Sequence, residues 1–180
     1  MNILAYKVAC AIKNANPEET QSVAVMQYAL GIIFNTLFSL LAALLIGLFT
    51  GQFLDTAIAF LTFVTIRMLS GGFHLKSAWA CNIATIVLCT VIPHAAILIT
   101  SSSVMILNII SLISMVLLAP RPDHNTRIPP KWFPLLKMLS VLVVILNFFL
   151  AYPVIGLVLA AQSFTLYYWK GGSRHVQNHC

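Results

Sequence analysis

The sequence predicts an all-α, polytopic integral membrane protein with six transmembrane helices. Three observations carry that prediction. Of the 180 residues, 60% are hydrophobic and only 8% charged, whereas a soluble domain carries about 25% charge. The apolar residues lie in six continuous runs, not in the alternating pattern of a barrel strand. The ten lysines and arginines gather at alternate connections between those runs, which is the charge pattern of a cytoplasmic membrane face. A mean hydropathy of +0.95 excludes a cytosolic enzyme or a disordered tail. The net charge of +6 marks a membrane side and gives no reason to expect a nucleic-acid partner.

The elements follow in order. Residues 1–27 form an N-terminal segment without the continuous apolar core and cleavage site of a secretory signal. Leu4, Val8, Ala11 and Ile12 share one helical face while Lys7 and Lys13 fall among polar positions, so the segment reads either as an amphipathic helix lying in the membrane interface or as a loosely ordered tail. Asn16, Pro17, Glu18 and Glu19 predict a helix start, with Asn16 as cap and Pro17 in the first helical position. The six apolar runs fall at 28–49, 53–68, 80–99, 104–119, 134–150 and 153–168, and the shorter ones require tilt or local thinning of the bilayer. Residues 50–52, 100–103 and 151–152 read as tight hairpin connections. Residues 69–79 and 120–133 read as longer polar loops. The whole chain, 1–180, reads as a single membrane-embedded domain, with 28–168 as its transmembrane region and 169–180 as a tail.

The basic residues assign the sides. Lys7 and Lys13 precede the first run, Arg67 and Lys76 flank the first long loop, Arg121, Arg127, Lys131 and Lys137 flank the second, and Lys170 and Arg174 follow the last run. With six spans all of these share one side, so both termini and both long loops are expected in the cytoplasm. Trp79, Trp132 and Trp169 fall on the same side, where amphipathic rings are comfortable.

Reactive groups concentrate between Arg67 and Cys81. Gly71 and Gly72 permit a sharp turn or a close backbone approach. His74 is a candidate base at cytoplasmic pH. Cys81 opens the next apolar run, near Lys76, a setting that favours a thiolate. On one straight helix, residues seven apart lie about 10.5 Å apart along the axis, whereas a base must come within about 3 Å of its nucleophile or reach it through one water. A His74–Cys81 dyad therefore requires residues 71–80 to depart from a straight helix, and non-helical backbone at this depth needs protein or a wet cavity to satisfy it. A polar pocket open to the cytoplasm is the expected result. The plainer reading keeps His74 as an interfacial residue and Cys81 as filler.

The pattern Arg-x₃-Gly-Gly-x-His-x₆-Cys resembles the signature of the accessory gene regulator B (AgrB) family, and Arg67, Gly71, Gly72, His74 and Cys81 match every fixed position. The likeness extends to chain length, six spans and an amphipathic start, and more loosely to residues 119–127. What the resemblance implies is a membrane cysteine endopeptidase of Gram-positive bacteria, placed in the cytoplasmic membrane with its active site facing the cytoplasm. His74 would be the base and Cys81 the nucleophile. The substrate would be a precursor peptide of the AgrD type, cleaved through an acyl-thioester and cyclised to a thiolactone or lactone quorum-sensing signal. The resemblance also implies a homodimer, and the chemistry needs no metal or organic cofactor.

Other residues have two readings. Arg67 is either a clamp on a substrate carbonyl or carboxylate, or a side chain snorkelling to lipid phosphate. Lys76 reads as an interfacial charge. Asp123 could orient His74 or pair with Arg121 or Arg127. His94 lies roughly 20 Å from Cys81 by helical rise, too far for the same site, and His124, His175 and His179 read as loop or tail residues. Cys89 reads as packing. There is no CxxC, HExxH or GxSxG, so redox, zinc-peptidase and serine-hydrolase chemistry lack support. The alternative class is a small transport or channel subunit whose polar loop gates a pathway.

Overall fold

The structure, a computed structural model, describes residues 2–73, 77–121 and 129–167. It is built of α-helices: α1 (Asn2–Ala15), α2 (Val23–Phe49), α3 (Phe53–Ser70), α4 (Ala78–Ala96), α5 (Ser101–Leu118), α6 (Phe133–Leu150) and α7 (Pro153–Tyr167), with a 3₁₀ turn at Pro130–Trp132 leading into α6. Five helical stretches are long and apolar enough to cross a membrane: Val23–Phe49, Phe53–Ser70, Ala78–Ala96, Ser101–Leu118 and Pro130–Leu150. The chain is thus a multi-pass membrane protein. The sixth expected span is a shorter apolar helix, Pro153–Tyr167, and its expected last residue, Tyr168, lies outside the described residues.

The sequence explains where most of these helices begin and end. The turn that closes α2 stops at Gly51, whose φ of 72° suits glycine. Thr100 caps α5 by accepting from the Ser103 amide at 3.4 Å. The predicted start at Asn16 is not where α2 begins. Residues 16–20 instead form a turn tied by Lys13, whose Nζ donates to the carbonyls of Pro17 (2.6 Å) and Thr20 (2.8 Å). Asn16 spends its side chain on Glu19 at 3.0 Å. Ser22 is the cap actually used, accepting from the Val25 amide at 3.4 Å. The polar signals at 16–19 satisfy one another locally, so they do not start a helix.

α3 lies beside α2, α4 beside α3, α6 beside α5 and α7 beside α6, whereas α5 packs on α6 and α7 rather than along α4. Short connections after α2, α4 and α6 collect at one end of the bundle, the hairpin end. The connections after α3 and α5 collect at the other, the glycine end. At the centre, α3 packs on α2, α4, α6 and α7, while α7 packs on α3, α4, α5 and α6. One core lies around Phe60, Phe63, Cys89, Ile92, Val154 and Val158, where Cys89 is fully buried as an apolar filler. A second lies around Ile66, Met115, Val144, Leu159 and Leu166, nearer the glycine end. Ser39, Ala43 and Gly47 form a stripe of small buried residues on α2, and a Cβ on Gly47 would stand 2.7 Å from Thr56 Oγ1. This is how helices approach closely where lipid removes the hydrophobic incentive between them. Large apolar side chains such as Phe49, Leu98, Leu117 and Phe149 are exposed, as expected of surfaces facing acyl chains.

α1 packs along α2 through Ala5 and Ala9, both fully buried. Of the predicted apolar stripe, Leu4, Ala11 and Ile12 are exposed and Val8 is half-buried. The small residues therefore make the helix contact, and most of the larger apolar ones turn outward.

Candidate active site

α3 stops because its last residues run into a backbone that only glycine adopts easily. Gly71 has φ 69° and ψ −139°, and Gly72 has φ 120°. The turn is held against two other strands of chain. On one side runs the segment leaving α5: Arg121 donates its amide to the Ser70 carbonyl at 2.8 Å, and Gly72 donates to the Arg121 carbonyl at 3.1 Å. This makes a single parallel bridge between Gly71 and Arg121. A Cβ on Gly71 would lie 2.0 Å from the Arg121 carbonyl oxygen. On the other side stands α7. Phe73 donates its amide to the Thr165 carbonyl at 3.4 Å, and a Cβ on Gly72 would lie 2.7 Å from Thr165 Oγ1. The paired glycines are thus required by φ and by the closeness of two walls.

Side chains complete the turn. Arg67, one helical turn before the end of α3, directs its guanidinium inward and donates to the Phe73 carbonyl and, at 3.4 Å, to Gln162 Oε1. Its cationic centre sits 5.7 Å from the Phe63 ring centroid. In the structure these contacts are with the protein's own chain. The charge faces the protein's own non-helical backbone, and that network compensates its burial. Arg121 also turns inward, donating to the Leu166 carbonyl near the end of α7 at 2.5 Å, where a cation suits the helix dipole.

α4 starts at Ala78 with Ser77 as cap residue. Cys81 lies in the first turn, its amide donating to the Ser77 carbonyl at 3.1 Å. Its side chain is half-buried, so it is accessible yet partly sheltered. The start of α4 is fixed on α2 by the Phe38–Trp79 edge-to-face ring pair, with centroids 5.8 Å apart, and by Asn82 donating to Asn35 at 3.4 Å.

Of the residues singled out by sequence, Arg67, Gly71 and Gly72 are brought together in one turn, and Cys81 stands at the head of the next helix. His74, Lys76 and Asp123 lie outside the described residues, as do His124, Arg127, Trp169, Lys170, Arg174, His175 and His179. The expected departure from a straight helix is present: α3 ends at Ser70 and α4 begins at Ala78. His94 is in the last turn of α4, at the hairpin end. A cavity of about 260 Å³ lies between α3, α6 and α7, lined mainly by Leu61, Thr65, Val143, Leu146 and Ile155; it contains neither Cys81 nor the glycine turn. Sequence reasoning missed Gln162 and the inward role of Arg121. Gln162 was visible as the one amide in an otherwise apolar run, and Arg121 as one cation among several.

Fold and turn together define a multi-pass helical membrane protein with an arginine-tethered glycine turn leading towards a helix that opens on a cysteine. A family model described as Accessory gene regulator B matches residues 4–169. An AgrB-like protein of Halalkalibacterium halodurans is 39% identical over 92 residues, covering 49% of this chain and 45% of that relative. Accessory gene regulator protein B of Staphylococcus aureus is 33% identical over 125 residues, covering 67% of each. That of Staphylococcus intermedius is 28% identical over 170 residues, covering 87% of this chain and 89% of the relative. No solved structure matches the chain. The chain belongs to the accessory gene regulator B family.

Proposed function

We propose that this protein is a membrane cysteine endopeptidase that trims and cyclises a small quorum-sensing precursor of the AgrD type. The observation that carries the reading is the break between α3 and α4 at Gly71 and Gly72, which meets the condition that a His74–Cys81 dyad places on the backbone. His74 is the general base and Cys81 the nucleophile. Lys76 and Asp123 are supporting residues of the same cytoplasmic loops. α7 is the sixth span, both termini are cytoplasmic, and the protein works as a homodimer in the cytoplasmic membrane.

The chemistry then balances as follows. His74 takes the thiol proton, and the Cys81 thiolate attacks the precursor carbonyl before its C-terminal tail. The C–N bond breaks, the tail amine leaves with the proton returned by the imidazolium, and an acyl-thioester remains on Cys81. An internal thiol or hydroxyl of the precursor gives its proton to His74 and attacks that thioester. The ring closes, and the Cys81–acyl bond breaks to regenerate the thiolate. Cyclisation outruns hydrolysis when the internal nucleophile is held close and water is kept out, a proximity advantage of several kcal/mol. Every group required comes from protein or precursor.

The test is co-reconstitution with the precursor and measurement of tail release. Cys81→Ala and His74→Ala should each abolish release without loss of folded protein. Unimpaired release by Cys81→Ala overturns the reading. Solute flux through proteoliposomes lacking precursor would instead favour a transport subunit.

A further inference from the structure

Gln162 is the group in the bundle whose position the proposed chemistry leaves unexplained. It lies on α7, nearly three turns from the helix start, and is fully buried. A primary amide buried in an apolar helix is costly unless its polar atoms are bonded. Among the described residues, its side-chain partners belong to one short stretch at the end of α3 and the glycine that follows it. Nε2 donates to the Gly71 carbonyl at 2.6 Å and to Ser70 Oγ at 3.1 Å, while Oε1 receives Arg67 at 3.4 Å. The orientation is forced, because turning the amide over would set its oxygen against the Gly71 oxygen and its NH₂ against a guanidinium. Ser70 Oγ is itself tied to the Ile66 carbonyl at 2.7 Å. Gln162 thus bonds to both sides of the break in α3: to the last helical turn through Arg67 and Ser70, and to the first non-helical residue through Gly71. A Cβ on Gly72 would also lie 3.2 Å from its Nε2, so the amide forms part of the wall on which the turn rests.

We propose that Gln162 is a positioning residue for the proposed site, holding the Ser70–Gly71 turn in one fixed geometry where the chain leaves α3. It touches neither substrate nor the reacting sulfur and acts through the backbone of Gly71 and the guanidinium of Arg67. The peptide carbonyl of Gly71 is freed where α3 breaks, and α7 supplies the donor that the helix no longer can. The positioning claim rests on the peptidase reading; the claim about the turn does not.

The variants are Gln162→Met, which keeps length and volume but loses every hydrogen bond, and Gln162→Ala. Two quantities are read on the full chain in lipid nanodiscs: hydrogen exchange at the Gly72 and Phe73 amides, and kcat and KM for release of the precursor tail. In Gln162→Met, exchange at those two amides should rise about tenfold or more while the amides of α5 remain protected. The kcat should fall on the order of 10²-fold, the cost of a misplacement of about 1 Å, with KM little changed. Gln162→Ala should do the same with added loss of thermal stability. Unchanged exchange in Gln162→Met overturns the proposal whatever the kinetics show. A loosened turn with normal kcat also overturns the positioning role. A native protein that releases no tail sinks the peptidase reading, and the exchange measurement still decides whether Gln162 holds the turn.

Discussion

The two ends of the bundle solve the same problem in different ways. At the hairpin end, intact helices are fastened by side chains. Asn147 donates to Asn108 Oδ1 at 2.9 Å, receives the Tyr152 amide at 3.2 Å, and accepts from Asn108 Nδ2 on its own carbonyl at 3.2 Å. Tyr152 reaches across to Asp55 at 2.6 Å. At the glycine end, side chains of two helices converge on backbone that has left α3, Arg67 on Phe73 and Gln162 on Gly71, while Arg121, beyond the end of α5, donates to Leu166 in the last turn of α7. The difference teaches where each end is free to change. A hairpin closes a regular structure and can tolerate a non-ideal residue, as Ala151 shows by sitting at φ 49° while its amide still bonds to Asn147. The glycine end must satisfy peptide groups that have left the helix, and lipid offers them nothing.

Substituting one glycine at each end is the sharpest way to break this comparison. Gly51 and Gly71 have nearly the same φ, 72° and 69°. A Cβ on Gly51 meets nothing within 4 Å, whereas one on Gly71 meets the Arg121 carbonyl at 2.0 Å. Gly51→Ala should therefore cost only backbone strain, about 1 kcal/mol. Gly71→Ala should carry more strain, because its ψ of −139° lies outside the left-handed helical well, and must also push the α5 exit away, for a total of about 3 kcal/mol or more, with loss of tail release. Equilibrium unfolding in mixed micelles separates the two, and equal losses would show that the ends are built alike. Gly72→Ala should fall between them, since the nearest obstacle is a threonine hydroxyl at 2.7 Å, which has some room to give.

Removing Asn147 should have the next largest effect. Asn147→Ala leaves the buried Asn108 Oδ1 without its donor and frees the Tyr152 amide, at a cost of about 1–2 kcal/mol. The loss should be local to the hairpin end. Unfolding should shift, while Cys81 alkylation at the far end of α4 should keep its native rate. A double-mutant cycle with Asn108→Ala should show coupling of roughly 0.5 kcal/mol or more, because the two side chains share one buried hydrogen bond. A changed alkylation rate in the single variant would mean that the two ends communicate.

Much of this was legible in the chain. Five of the apolar runs become helices of spanning length because continuous hydrophobicity in lipid leaves a helix no competitor. The glycine pair announced the break because no other residue adopts those angles cheaply. What the sequence hid is non-local. Nothing near Gln162 says that Gly71, 91 positions away in sequence, needs its donor. Arg67 looked like a clamp for substrate or a snorkelling cation because the carbonyl it serves belongs to its own chain, beyond a turn whose path one sequence does not specify. The Asn16–Glu19 signal failed for the opposite reason: the two side chains bond each other, and Lys13 ties down the turn that carries them.

The smallest effect belongs to the Tyr152–Asp55 contact, a single part-buried hydrogen bond at the hairpin end. The carboxylate of Asp55 holds the Tyr152 phenol in its protonated form and raises its pKa above the ordinary 10.0. The folded state therefore keeps this proton more tightly than the unfolded chain. The bond's contribution is complete below pH 10 and disappears as pH climbs through the raised folded value. Tyr152→Phe should cost a few tenths of a kcal/mol to about 1 kcal/mol near neutral pH. The stability gap between native and variant should stay constant up to about pH 10 and close above it. A gap that widens with alkalinity would mean that the phenol ionises more readily in the folded protein, and the hairpin end would then owe its closure to Asn147 and Asn108 alone.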